Sequence, residues 1–203
     1  MCNDFEQHIL WEQYCEMMQS LALGIPTHQS MLDLPRADDV RINDTALVMR
    51  AVGDEIELVP MNFSLPPSGP KGGPIFNFRS EGRHFGDSKR CLVPATAFFE
   101  FTGKKYPKAK HRFSLKHVPF MAIAGVWREG AGNKPPCFAM LTTEPGTDVE
   151  PYHNRQVVVL RPEHWKSWID LSTPEGELLR PLPAGSLTVE TVRPASDEAT
   201  PLI

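Results

Sequence analysis

Between Phe5 and about Leu23 the apolar residues Trp11, Tyr14, Met18 and Leu21 recur at steps of three and four, with Glu6, Glu12, Glu16 and Gln19 between them. That period predicts an amphipathic helix over 5–23, with Asn3 or Asp4 as its cap and Gly24-Ile25-Pro26 as its stop. Residues 27–45 carry no period and read as irregular connection. The pattern then becomes β-type. Ala46-Leu47-Val48-Met49 and Ile56-Glu57-Leu58-Val59 flank Gly53-Asp54 and predict a hairpin. The stretch 65–74 holds four prolines and three glycines, and reads as a surface loop over a site. Further strands are predicted over 91–95, 97–101, 119–127, 136–143, 157–160 and 188–192, with a basic hairpin loop at 102–112. Short helices follow Pro162-Glu163 and Ser172-Thr173-Pro174, and residues 193–203 are expected to fray.

With 203 residues and 41% hydrophobic content, the chain is long enough for one sizeable core, so a single domain over 1–203 is expected. The opening MCNDFEQ is acidic where a signal peptide is basic, and the apolar runs are too short to span a bilayer, so no membrane partner and a cytoplasmic protein are expected. Cys2, Cys15, Cys91 and Cys137 lie far apart with no C-x-x-C. That usage suits reduced thiols, with neither a disulfide framework nor a metal site, and no cofactor signature is present. The net charge is −4, but residues 71–116 hold 11 basic and 3 acidic side chains while 1–70 hold 3 and 11. Such asymmetry fits a basic surface for nucleic acid, or an ordinary solvated hairpin.

Candidate chemistry begins at Cys2. Once Met1 is removed, Cys2 would carry an amine and a thiol on adjacent carbons, titrating near ~8 and ~8.5 when unperturbed. An aldehyde could be captured by the amine as a Schiff base and closed by the thiol into a thiazolidine, the second step being intramolecular. Cysteine at position 2 also arises by chance. Placed just ahead of the predicted helix, its thiolate would be favoured by the positive helix end. Asn77, Arg79 and Glu81 could bind a phosphate or orient a carbonyl, or serve as caps and surface ion pairs. Glu100, among Phe98, Phe99 and Phe101, is either a carboxyl of raised pKa suited to proton transfer or a solvent-facing edge residue. His153, beside Arg155 at the mouth of a buried strand, is either an acid-base group or structural.

Taken in order, MCNDF, FSLPP at 63–67, NFRSEG at 77–82, KRCLVPATAFFEF at 89–101, PFMAIAGVW at 119–127, CFAMLTTEPG at 137–146 and YHNRQVVVL at 152–160 resemble the SOS response-associated peptidase (SRAP) family of abasic-site processing proteins. The resemblance implies an α+β domain with a bent, antiparallel-rich sheet forming a pseudo-barrel, an N-terminal helix and C-terminal helices. It implies a monomer that senses abasic sites in single-stranded DNA and becomes crosslinked as a thiazolidine through Cys2. Thiol (auto)peptidase action and non-catalytic binding are the alternatives. By position, the resemblance makes Asn77 the group that orients the terminus or sugar, Glu100 the proton shuttle, and His153 the acid-base histidine. It places Arg79, Arg83, Phe63, Thr143 and Arg155 at the DNA. Where the family has Gly-Arg after the cysteine this chain has Asn3-Asp4, Phe63-Ser64-Leu65 stands for Trp-Gly-Leu, and Gln156-Val157 for Met-Pro. The chemical residues match while the DNA-gripping ones drift.

Overall fold

Alternation along the strands divides their side chains between two packing layers. Ala46 and Val48, Met61 and Phe63, Cys91 and Val93, Met121 and Ile123, and Phe138 and Met140 share one buried cluster, whereas Met49, Ile56, Leu58, Leu92, Ala122, Ala124 and Leu141 share another. A period of two sends successive residues to opposite faces, so one sheet feeds both layers. The computed structural model describes residues 2–29, 36–130 and 132–196.

In chain order the elements are β1 (Asp4–Gln7), α1 (Trp11–Ser20), β2 (Ala37–Arg41), β3 (Thr45–Val52), β4 (Glu55–Phe63), β5 (Asn77–Arg79), β6 (Arg90–Ala95), β7 (Ala97–Thr102), β8 (Ala109–Leu115), β9 (Met121–Arg128), β10 (Cys137–Thr143), β11 (Gln156–Val157), β12 (Val159–Leu160), α2 (Trp165–Asp170), α3 (Glu175–Leu178) and β13 (Leu187–Arg193). Strands β10, β4, β3, β6 and β9 close a ring, because β10 pairs with β4 on one side and β9 on the other. At Gly125 the closure is tight. A Cβ there would lie 3.0 Å from both the Ala139 carbonyl oxygen and Cys91 Sγ. The inner layer packs against a second sheet, ordered β13-β8-β7-β1-β2, through Phe5, Phe98 and Phe113. The outer layer is covered by Tyr14 and Met18 of α1 and Trp165 and Trp168 of α2. This is a single α+β domain with the expected pseudo-barrel, and among the described residues no helix is long and apolar enough to cross a membrane.

The first helix is shorter than its sequence period suggests. Residues 4–7 form β1, hydrogen-bonded between β2 and β7, and α1 begins only after Leu10, whose N–H donates to Gln13 Oε1. Phe5 is drawn into the core beside Phe63, and Gln7 uses its side-chain amide on Leu47 and Pro94. These tertiary contacts outweigh local helical propensity. Within 27–45 the chain is not wholly irregular, since Ala37–Arg41 is a strand; residues 30–35 lie outside the described residues. Lys110 and Arg112, expected in a loop, belong to β8. The fraying expected from residue 193 is not found over 193–196, where Ala195 is buried and Ser196 N–H donates to the Pro107 carbonyl; residues 197–203 lie outside the described residues.

Phe63, expected as a base-stacking surface, is instead a core residue, fully buried and stacked on Phe138 at 5.1 Å between ring centroids. Its substitution Phe63→Ala is expected to lower the unfolding free energy by about 3–5 kcal/mol in chemical denaturation. A loss below about 1 kcal/mol would contradict this core role.

Candidate active site

Strand β1 carries the start of the chain into the molecule. Its register pairs Phe5 with Phe98 and Glu6 with Ala97, so the same antiparallel run continued backwards brings Asn3 opposite Glu100. Cys2, just beyond, is 1% exposed. Its Sγ donates to the Asp4 carbonyl at 3.3 Å, and Asn77 Nδ2 donates to the Cys2 carbonyl at 2.7 Å. Asn77 reaches this position from β5, which lies parallel to β10. Because a strand follows Cys2, no helix end lies behind its thiol. Burial, then the nearby charge of Glu100, push the thiol pKa far up, against weaker help from the backbone at Asp4 and Phe99.

Glu100 sits on β7 with its side chain turned inward. It is 2% exposed, its Oε1 accepts no hydrogen bond from any described residue, and burial raises its pKa to about 7 against the pull of the positive amino terminus. The solvent-facing alternative for this residue is therefore excluded. Asn77 Oδ1 is likewise buried and accepts no bond among the described residues. His153 follows the turn after β10. Its Nδ1 lies 2.9 Å from both the N–H and the carbonyl oxygen of Arg155, and accepts from the one or donates to the other according to the ring's tautomer. Its pKa is lowered, first by burial and then by the amino terminus. Glu100, His153, Asn3 and Asp4 line one cleft of about 520 Å³. The carboxyl of Glu100, the imidazole of His153 and the residues that follow Cys2 thus meet at one cleft from three separate parts of the chain.

The sequence reading did not find the charge network on the cleft wall. Asp4, which stands where the family has a basic DNA contact and is by sequence a candidate helix cap, caps no helix: it is 4% exposed and its Oδ2 lies 3.1 Å from Lys110 Nζ. Lys110 also bonds Asp39 and lies 3.6 Å from the centre of the Phe99 ring. Burial raises the Asp4 carboxyl to about 6, with Lys110 opposing. The available signal was the alternation of Ala109, His111, Phe113 and Leu115 with charged and polar residues, which marks a half-buried strand. Arg112 on the same strand is held by Glu6, and Arg90 donates to the carbonyls of Phe85, Gly86 and Ile169. Part of the basic excess in 71–116 is therefore structural rather than a surface for a partner.

The expected DNA contacts scatter. Arg79 is exposed on β5 opposite Thr142, Thr143 is buried opposite Gln156, and Phe63 is in the core. Arg83 lies over the Phe78 ring beside a separate hollow shared with His84 and Glu175. Arg155 is already clamped: its guanidinium meets both oxygens of Glu81, at 2.5 and 2.9 Å, and bonds Thr142. None of these five lines the cleft of Glu100 and His153. Among the described residues no group of three or more His, Cys, Asp or Glu is arranged to hold a metal ion.

The chain resembles the abasic site processing protein YoqW of Bacillus subtilis (strain 168), 33% identical over 100 residues that make up 47% of this chain and 44% of the relative. YobE of the same organism, also named an abasic site processing protein, is 32% identical over 100 residues, 47% of this chain and 45% of the relative. The match spans less than half the length of these curated relatives. Among solved structures, a protein from Bordetella bronchiseptica superposes with a TM-score of 0.72 at 22% identity, covering 95% of this chain and 100% of that one. A phage-related protein from the same organism gives 0.69 at 24% identity, covering 95% and 94%. These two show the fold. The model of the family described as SOS response associated peptidase (SRAP) matches residues 1–197, and the chain belongs to that family.

Proposed function

We propose that the chain senses abasic sites in single-stranded DNA and crosslinks to them through Cys2 after Met1 has been removed. The observation that carries this reading is a buried Cys2 beside a buried carboxyl, Glu100, whose pKa burial raises to about 7. The names of the matched relatives, abasic site processing proteins, support the same substrate class.

In the proposed reaction the sugar of an abasic site opens to an aldehyde: the bond between the anomeric carbon and the ring oxygen breaks, the ring oxygen takes a proton from the His153 imidazole, and the anomeric hydroxyl gives up its proton, which restores the imidazole. The Cys2 amine adds to the aldehyde carbon. Glu100, protonated in its buried setting, gives its proton to the carbinolamine hydroxyl, which departs as water and leaves the Schiff base. The resulting carboxylate takes the thiol proton as Sγ adds to the iminium carbon, so the nitrogen keeps the single proton it already carries and Glu100 is protonated again. The ring closes with one water lost overall. Asn77 holds the Cys2 carbonyl, so amine and thiol keep a fixed orientation.

Self-removal of Met1 is a second reading, favoured by the same Cys2–Glu100 proximity. Attack of Sγ on the Met1 carbonyl would move the acyl group from nitrogen to sulfur, and water would then release methionine. Intact mass decides this point. Met1 retained in Glu100→Gln but absent in the parent supports self-processing, whereas Met1 absent in both assigns its removal to another enzyme.

With an oligonucleotide bearing one abasic site, the parent is expected to give a covalent species in a denaturing gel. Cys2→Ala should abolish it, and Glu100→Gln should slow it by roughly tenfold or more, in line with loss of a proton-transfer group. No adduct in the parent, or an undiminished one in Cys2→Ala, would refute the crosslinking reading. The raised pKa of Glu100 also has a stability consequence. A carboxyl whose folded pKa exceeds its unfolded value contributes stability below the unfolded pKa, lost as pH rises through the folded one. Between the model-compound value of 4.5 and about 7, the parent should therefore lose stability relative to Glu100→Gln. A difference on the order of 1–3 kcal/mol is expected from parallel denaturation at pH 5 and pH 8. Equal pH dependence in the two proteins would contradict a buried, neutral Glu100.

A further inference from the structure

We propose that the single strand is gripped at the cleft mouth by Tyr106, Lys108, Arg41 and Arg193, with Tyr106 stacking on a base and the cations meeting phosphates. This inference rests on the crosslinking reading above and deepens it. All four residues line the cavity that contains Glu100 and His153, and they reach it from three places: β2, the loop between β7 and β8, and the end of β13.

Tyr106 is 84% exposed, an unusual setting for a large aromatic in a protein that otherwise buries its rings. Lys108 Nζ lies 5.6 Å from the centre of that ring. A ring with an adjacent ammonium is the pairing that single-strand binding uses, since every base offers a π face and every linkage a phosphate. Arg193 is fixed from behind, its Nε and Nη2 donating to the Lys108 carbonyl at 3.1 and 3.0 Å, so the loop and β13 present their charges together. Arg41, at the end of β2, keeps its side chain 66% exposed while its Nη2 lies 3.3 Å from Asp39 Oδ2. The deeper cation, Lys110, is held by Asp4 and Asp39. Positive charge is thus outermost and acid-base chemistry innermost. A polyanion would be held at the rim while its sugar reaches inward.

The same arrangement compensates for the sites that the expected grip lost. Phe63 is in the core, Asp4 faces Lys110, and Arg155 is engaged by Glu81. The strand-binding surface has moved to the loop at 103–108.

Fluorescence anisotropy with an undamaged single-stranded oligonucleotide, across a range of salt, tests the grip without any covalent step. Tyr106→Ala should weaken binding roughly tenfold and Tyr106→Trp should restore it, in keeping with the cost of losing one base stack. Lys108→Gln should weaken binding and reduce the slope of log affinity against log salt by about 0.7, the value for one phosphate contact on a single strand. Parent-like affinity in both Tyr106→Ala and Lys108→Gln, or no measurable binding by the parent, would overturn the proposal. Condensation of the parent with free 2-deoxyribose, read by intact mass and compared with Cys2→Ala, reports the chemistry separately. Failure of the grip and failure of the crosslinking reading are thereby distinguished.

Discussion

The pairing of β1 between β2 and β7 is the constraint on which the rest of the molecule depends. Chain termini ordinarily fray, because few contacts repay the entropy of ordering them. Here the first residues form ladder bonds on both sides, Phe5 is fully buried against Phe63, and the Gln7 amide ties the strand to β3 and β6 of the ring. A side chain two residues ahead of such a strand has little freedom. Cys2 is therefore delivered to Glu100 by the fold itself.

That delivery has electrostatic costs, concentrated where the proposed chemistry needs them. A buried carboxyl with one oxygen accepting no bond from the described residues, and a thiol raised by burial and by that carboxyl, are unfavourable in isolation. They are also the groups whose protonation a Schiff-base reaction would exploit. The neighbouring acids are managed differently. Asp4 and Asp39 share Lys110, and Glu6 accepts from Arg112, so negative charge along β1 is matched by cations projecting from β8. The inner cleft can thus hold one neutral carboxyl among compensated ones.

Strands with clear alternation or long apolar runs were legible in the sequence, as were the hairpin of β3 and β4 and the apolar run of β9. The placement of Glu100 was open between an inward carboxyl and a solvent-facing edge residue, and only the packing of β7 decides for the first. What could not be read was set by distant partners. The tetrapeptide Asp4–Gln7 takes its extended form from pairing with two distant stretches, in β2 and β7, while the helical period of 11–21 begins only a few residues after it. The polar Ala37–Arg41 lacks an apolar face and is a strand only because β1 supplies its hydrogen bonds. Phe63 was placed at the DNA because it stands where the family has Trp, whereas at the end of β4 it turns into the core. The partnership of Asp4 with Lys110 joins opposite ends of a long stretch of chain, and each residue alone reads as an exposed charge.

Peptide mapping by mass spectrometry of the protein after reaction with an abasic-site oligonucleotide tests most directly whether the fold presents residue 2 as the nucleophile. The expected result is a sugar adduct on an N-terminal peptide that begins at Cys2, with a mass equal to the sum of the reactants less one water. An adduct on a lysine such as Lys110, or on a peptide that still carries Met1, would contradict it.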